Sequence, residues 1–123
     1  AATSNVIIQR NAHPIFVDIE PDTFNLDPKK IEAVITEKTK AIMPIDYGGQ
    51  SAEILEINEI AEKHGLAVIE DAAPALGGVH KNKKVGSIST MTGFSFGPDK
   101  NLNTGEGGLI VSDHAPIIID LDL

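Results

Sequence analysis

A chain that alternates short apolar runs with helix-patterned segments has few ways to bury its hydrophobic surface. The usual solution is a largely parallel sheet with helices packed against its faces. This sequence alternates in that way along most of its length. Residues 14–19 read as a strand, and Asp27 and Pro28 suit the N-cap and first turn of a helix reaching about Thr36. Leu26 and Ile31 are spaced to pack across that cap. Residues 41–45 read as a second strand, leading to the glycine-bearing loop Tyr47 to Gln50. Ile54, Ile57, Ile60 and Ala61 share one face of a helix over residues 53–64, and Gly65 is placed to end it. Residues 66–69 then form a buried strand that runs into two carboxylates, Glu70 and Asp71. Residues 91–96 and 108–112 complete the strands, while 1–10 and 116–123 fit no single pattern.

In open parallel sheets, ligands bind beyond the carboxyl ends of the strands, where Asp71 is expected. A carboxylate there needs a cationic partner, such as a protonated ring nitrogen, a metal or an arginine. A solvated cap on the next turn accounts for it equally well. Between residues 93 and 108, Lys100 stands in a stretch broken by Gly97, Pro98 and Gly105, five residues after Ser95. A lysine becomes nucleophilic toward carbonyls when burial or positive neighbours lower its pKa, and a serine beside glycine-lined backbone can hold a phosphate. On residues alone, Lys100 reads more simply as an exposed turn lysine, and Gly105 to Gly108 as a tight hairpin connection.

Other chemistries have less support. A formal charge of -8 with scattered basic residues, the densest run being Lys81 to Lys84, argues against a nucleic-acid surface. No run is long and apolar enough for a membrane span, and no cysteine is present for a disulfide, a thiolate zinc site or a thiol nucleophile. These features agree with a cytoplasmic setting. His13, His64, His80 and His114 lack metal-ligand spacing, so no metal site is expected. Tyr47 and Gln50 are candidate substrate contacts, though a plain turn is the simpler reading. The chain opens without Met and closes on the mostly apolar stretch 117–123, which suggests packing partners outside it.

Taken in order, several stretches resemble the DegT/DnrJ/EryC1/StrS aminotransferase family. They are PIFVDIEPDTFNLDP from Pro14, TKAIMPIDYGGQ from Thr39, HGLAVIEDAA from His64, and KVGS from Lys84. FSF from Phe94, KNL from Lys100 and GEGG from Gly105 complete the set. The resemblance implies an α/β fold, the three-layer large domain of fold type I pyridoxal-phosphate transferases with a mixed, mostly parallel sheet. Residues 1–123 would form part of that cofactor-binding domain, with an N-terminal segment and a C-terminal small domain lying outside.

The resemblance also assigns roles. Lys100 is the Schiff-base lysine and catalytic base, Asp71 meets the pyridinium nitrogen and Ser95 contacts the phosphate of pyridoxal 5'-phosphate. The implied reaction is amination of a nucleotide-linked keto-sugar with glutamate as donor, by a homodimer whose partners are small molecules rather than nucleic acid or membrane. Residues 1–123 alone are expected to be inactive. A sugar dehydratase and a non-catalytic regulatory relative are the alternatives. Dehydratase relatives typically carry histidine at the lysine position, so Lys100 favours amination. Two positions depart from the family pattern: Pro74 stands where Gln or His is common beside the ring, and Asn11 where Gly is usual. Asn tolerates left-handed backbone, so the second departure is mild.

Overall fold

The structure is a computed structural model that describes residues 2–113; His114 and the mostly apolar close at residues 117–123 lie outside the described residues. Its elements in chain order are helix α1 (Ala2–Gln9), strand β1 (Ala41–Ile42), helix α2 (Ile54–His64) and strand β2 (Ala67–Asp71). Strands β3 (Val79–His80), β4 (Lys83–Lys84), β5 (Met91–Ser95) and β6 (Gly108–Val111) follow. The main sheet has the order β1-β2-β5-β6. Its first three strands run parallel and β6 returns antiparallel to β5, so the sheet is mixed and mostly parallel, as expected.

Helix α2 follows directly from its pattern. Ile54, Ile57 and Ala61 form its buried stripe and pack on Ile42 of β1 and Val68 of β2. Complete burial of Ile54 and Ile57 removes about 2–3 kcal/mol of apolar exposure each. Gly65 ends the helix at φ 65°, a left-handed conformation that would strain a side chain, and Leu66 N–H closes onto Ala61 O at 2.8 Å.

Four readings of the sequence need correction. Residues 14–19 form no strand: the segment makes one isolated bridge, Ile19 to Leu26, and Ile15 and Phe16 are exposed. Among the described residues no neighbouring strand takes up its backbone hydrogen bonds. The helix expected from Asp27 to Thr36 is two 3-10 turns, Pro28–Lys30 and Glu32–Val34. The Asp27 cap forms as expected, its carboxylate accepting from Lys29 N–H at 3.0 Å, and Ile31 is buried beside Leu26. Ile31, Val34 and Ile35 are β-branched, however, which weakens continuation into an α-helix.

The strand at residues 41–45 is interrupted after Ile42 and resumes only as a bridge from Ile45 to Asp71. Pro44, lacking an N–H, lies in the gap and still accepts from Asp71 N–H at 2.9 Å. Conversely, β2 extends beyond residue 69 to include both carboxylates, because Glu70 and Asp71 pair with Thr92 and Gly93. The basic run at Lys81 to Lys84, for which the sequence carried no structural expectation, contains a hairpin. Lys81 and Asn82 adopt φ 45° and 67°, which join β3 to β4 with the twist such a turn requires.

Candidate functional site

Side chains alternate across a strand, so β2 and β5 present two different sets of residues. On the face covered by α2 lie Val68, Glu70 and Thr92; on the other lie Asp71, Gly93 and Ser95. The register sets Asp71 directly opposite Gly93, with Ser95 two residues farther toward the carboxyl edge. Gly93 leaves an open place between them: a Cβ built there would meet nothing nearer than Glu70 O at 4.0 Å.

The Asp71 carboxylate is held from two directions. Its Oδ2 accepts from the Thr3 hydroxyl of α1 at 2.6 Å, and its Oδ1 accepts from Ala73 N–H at 3.2 Å. Each bond uses one lone pair on its oxygen, and a carboxylate has about four such sites. Room therefore remains for a further donor. Ser95 Oγ accepts a long bond from Gly97 N–H at 3.4 Å, where the chain leaves β5.

Lys100 sits in the loop that follows, which is tied at its root by Phe96 N–H to Gly107 O at 2.8 Å and Thr104 N–H to Phe96 O at 3.1 Å. Asn101 Nδ2 donates to Pro74 O at 3.2 Å and joins this loop to the turn just beyond Asp71. Gly49 also approaches Pro74, since a Cβ on it would stand 3.1 Å from that carbonyl. Three loops thus converge at the carboxyl edge of the sheet. Lys100 Nζ pairs with Asp99 Oδ2 at 3.1 Å rather than with Asp71, and its side chain is 25% exposed against 78% for Asp99. The same contact holds the Asp99 carboxyl below its ordinary range. The fold therefore brings Asp71 and Ser95 to one face and Lys100 to the same edge, with its ammonium on an exposed partner.

Tyr47 and Gln50 belong to a 3-10 turn, Tyr47–Gly49, organised by Asn25. Asn25 is buried; it accepts from Tyr47 N–H at 2.8 Å and donates to Gln50 O at 2.9 Å. On the α2 face of the sheet, Asp46 and Glu70 are both fully buried acids. Asp46 Oδ1 accepts from Ala52 N–H at 2.9 Å, and Glu70 Oε2 accepts from Thr92 and Ser89 at 2.7 and 2.9 Å. Among the described residues, no donor reaches Asp46 Oδ2 or Glu70 Oε1. Burial, reinforced by the negative charges of Glu70 and Asp71, pushes Asp46 up to about 7.

Sequence reasoning did not single out Thr3, Asn25 or Asp46. The Thr3 contact spans 68 positions and has no local signal. Asn11 does adopt the left-handed backbone its residue type tolerates, at φ 57°.

The model of the DegT/DnrJ/EryC1/StrS aminotransferase family matches residues 1–118. The chain is 46% identical over 112 residues to GDP-perosamine synthase of Caulobacter vibrioides, covering 91% of this chain and 30% of that protein. It superposes with TM-score 0.89 and 36% identity on DesI, solved in the presence of its TDP-sugar product, covering 93% of this chain and 29% of that one. The PLP form of Spr1654 from Streptococcus pneumoniae superposes with TM-score 0.87 and 34% identity, covering 95% of this chain and 34% of that one. The chain thus has the fold of part of a type I large domain, and it spans about 30% of the length of the curated relatives it matches.

Proposed function

This chain belongs to the DegT/DnrJ/EryC1/StrS aminotransferase family, and we propose that the protein containing it is a pyridoxal-phosphate aminotransferase of nucleotide-linked keto-sugars, with glutamate as amino donor. The observation that carries this reading is the open place over Gly93, flanked on one sheet face by Asp71 and Ser95. A flat ring fits where a side chain is missing, with an anion at one side and a hydroxyl near the other. The sugar-nucleotide names of the GDP-perosamine synthase relative and the DesI product complex support the substrate class. Residues 1–123 would be part of the cofactor-binding domain of a cytoplasmic homodimer, with the small domain elsewhere. Among the described residues, no helix is long and apolar enough to cross a membrane.

When bound, the cofactor supplies an electron sink that delocalises charge from a substrate carbon. The residues of this chain do the rest. The Asp71 carboxylate would hold a proton on the ring nitrogen by charge and hydrogen bonding, and Ser95 Oγ would donate to a phosphate oxygen. Lys100 would anchor the cofactor covalently and, once freed by the incoming amine, carry a proton on Nζ as general base. To do so its amine must leave Asp99. That step costs little, because water screens an ion pair with so exposed a partner.

In the full-length protein, Lys100→Ala should abolish transfer of the amino group from glutamate to keto-sugar while the protein stays folded. Undiminished amino-sugar formation by that variant would remove Lys100 from the proposed role. A wild-type enzyme that yields a deoxygenated sugar and no amino sugar would instead identify a dehydratase.

A further inference from the structure

We infer that Thr3 is a positioning residue whose hydroxyl fixes the Asp71 carboxylate in the orientation that meets a ring nitrogen. This rests on the proposed role of Asp71. The hydroxyl donates to Asp71 Oδ2 at 2.6 Å, the short range of charge-assisted O–H···O⁻ bonds. The other donor, Ala73 N–H, is only two residues along the chain and lies at 3.2 Å. A carboxylate at the end of a strand can turn about its side-chain bonds, and a local backbone donor follows it only loosely. A donor reaching from a separate element across 68 positions selects one rotamer.

Threonine suits the task because its branched Cβ restricts χ1, so the hydroxyl arrives already oriented. Helix α1 buries none of its residues, so packing alone holds it weakly and the Thr3 bond ties it to β2 as well. The bond occupies one lone pair of Oδ2. It orders the acid without blocking it.

The test uses the full-length protein with three variants: Thr3→Val, which keeps the shape and removes the hydroxyl; Thr3→Ser, which keeps the hydroxyl; and Asp71→Asn as reference. Three quantities are read: the cofactor dissociation constant, the visible absorbance of bound cofactor, and the thermal midpoint without cofactor. Thr3→Val should weaken cofactor binding about tenfold or more, as expected for one lost hydrogen bond to a charged group. It should move the visible band in the same direction as Asp71→Asn, and Thr3→Ser should restore both. Should Thr3→Val fail to fold, Thr3→Ala is read in its place.

A Thr3→Val protein with wild-type spectrum and affinity, beside an Asp71→Asn protein altered in both, overturns the inference while leaving the role of Asp71 intact. So does a lowered thermal midpoint with an unchanged spectrum, since that is what a purely structural bond would give. If Asp71→Asn changes neither spectrum nor affinity, the reading of Asp71 fails, and the inference with it.

Discussion

Replacing Asp46 with Asn should stabilise the protein above neutral pH and leave it nearly unchanged in mild acid. Asp46 lies fully buried beside Glu70, and burial pushes it from an ordinary 3.8 up to about 7. An acid raised on folding stays protonated in the native state while the unfolded chain releases its proton. Stability from this group is therefore full below about pH 4, falls as pH rises toward 7, and then levels off. A rise of about 3 units at about 1.4 kcal/mol each sets a ceiling of about 4 kcal/mol on that loss.

Asn at position 46 can still accept from Ala52 N–H through Oδ1, and it carries no charge to bury at any pH. Allowing for relaxation, Asp46→Asn should gain about 1–3 kcal/mol near pH 8 and less than about 1 kcal/mol near pH 4. Denaturant unfolding of wild type and variant at both pH values gives the difference directly, and groups unaffected by the change cancel in the subtraction. A variant destabilised equally at both pH values would refute the reasoning, because it would make an ionised Asp46 structurally necessary.

Two further outcomes follow from single positions. Gly93→Val places a side chain with good strand propensity over open space, so the full-length protein should keep its thermal midpoint within a few degrees while binding pyridoxal phosphate at least about tenfold more weakly. Equal weakening of fold and cofactor affinity would contradict the idea that this space is kept for a ligand. Asn25→Ala removes both anchors of the Tyr47–Gly49 turn and leaves Tyr47 N–H and Gln50 O unsatisfied, so unfolding should become easier by about 2–4 kcal/mol in denaturant titration. A loss under about 0.5 kcal/mol would mean that the turn holds itself.

Where local patterning decides the structure, it was readable. Ile54, Ile57 and Ala61 form the stripe their spacing implies, Gly65 ends α2 at positive φ, and Asp27 caps the turn at Pro28. Where a long-range partner decides, the pattern misled or stayed silent. Residues 14–19 have strand composition but no strand beside them among the described residues, and the β-branched residues after Ile31 end in 3-10 turns. The Lys81–Asn82 turn was hidden in a run that looked merely basic.

The candidate site divides in the same way. Asp71 stood out because a carboxylate follows an apolar strand, and Lys100 and Ser95 because glycines break their stretch, but only the family resemblance gave them roles. Thr3 was invisible, since only folding brings α1 to β2. Asp46 falls between the strand and the loop that the sequence suggests, and nothing local marks it as buried. Its burial depends on the parallel approach of Ile45 to Asp71, where Asp46 N–H donates to Asp71 O at 3.0 Å.

The most direct test of the account is chemical fixation of pyridoxal phosphate on the full-length protein with borohydride, followed by peptide mass mapping. The pyridoxyl group should appear on Lys100, and Asp71→Asn should lower its yield without moving it. A label on Lys81, Lys83 or Lys84, or a yield at Lys100 no higher than at those exposed lysines, would contradict the account.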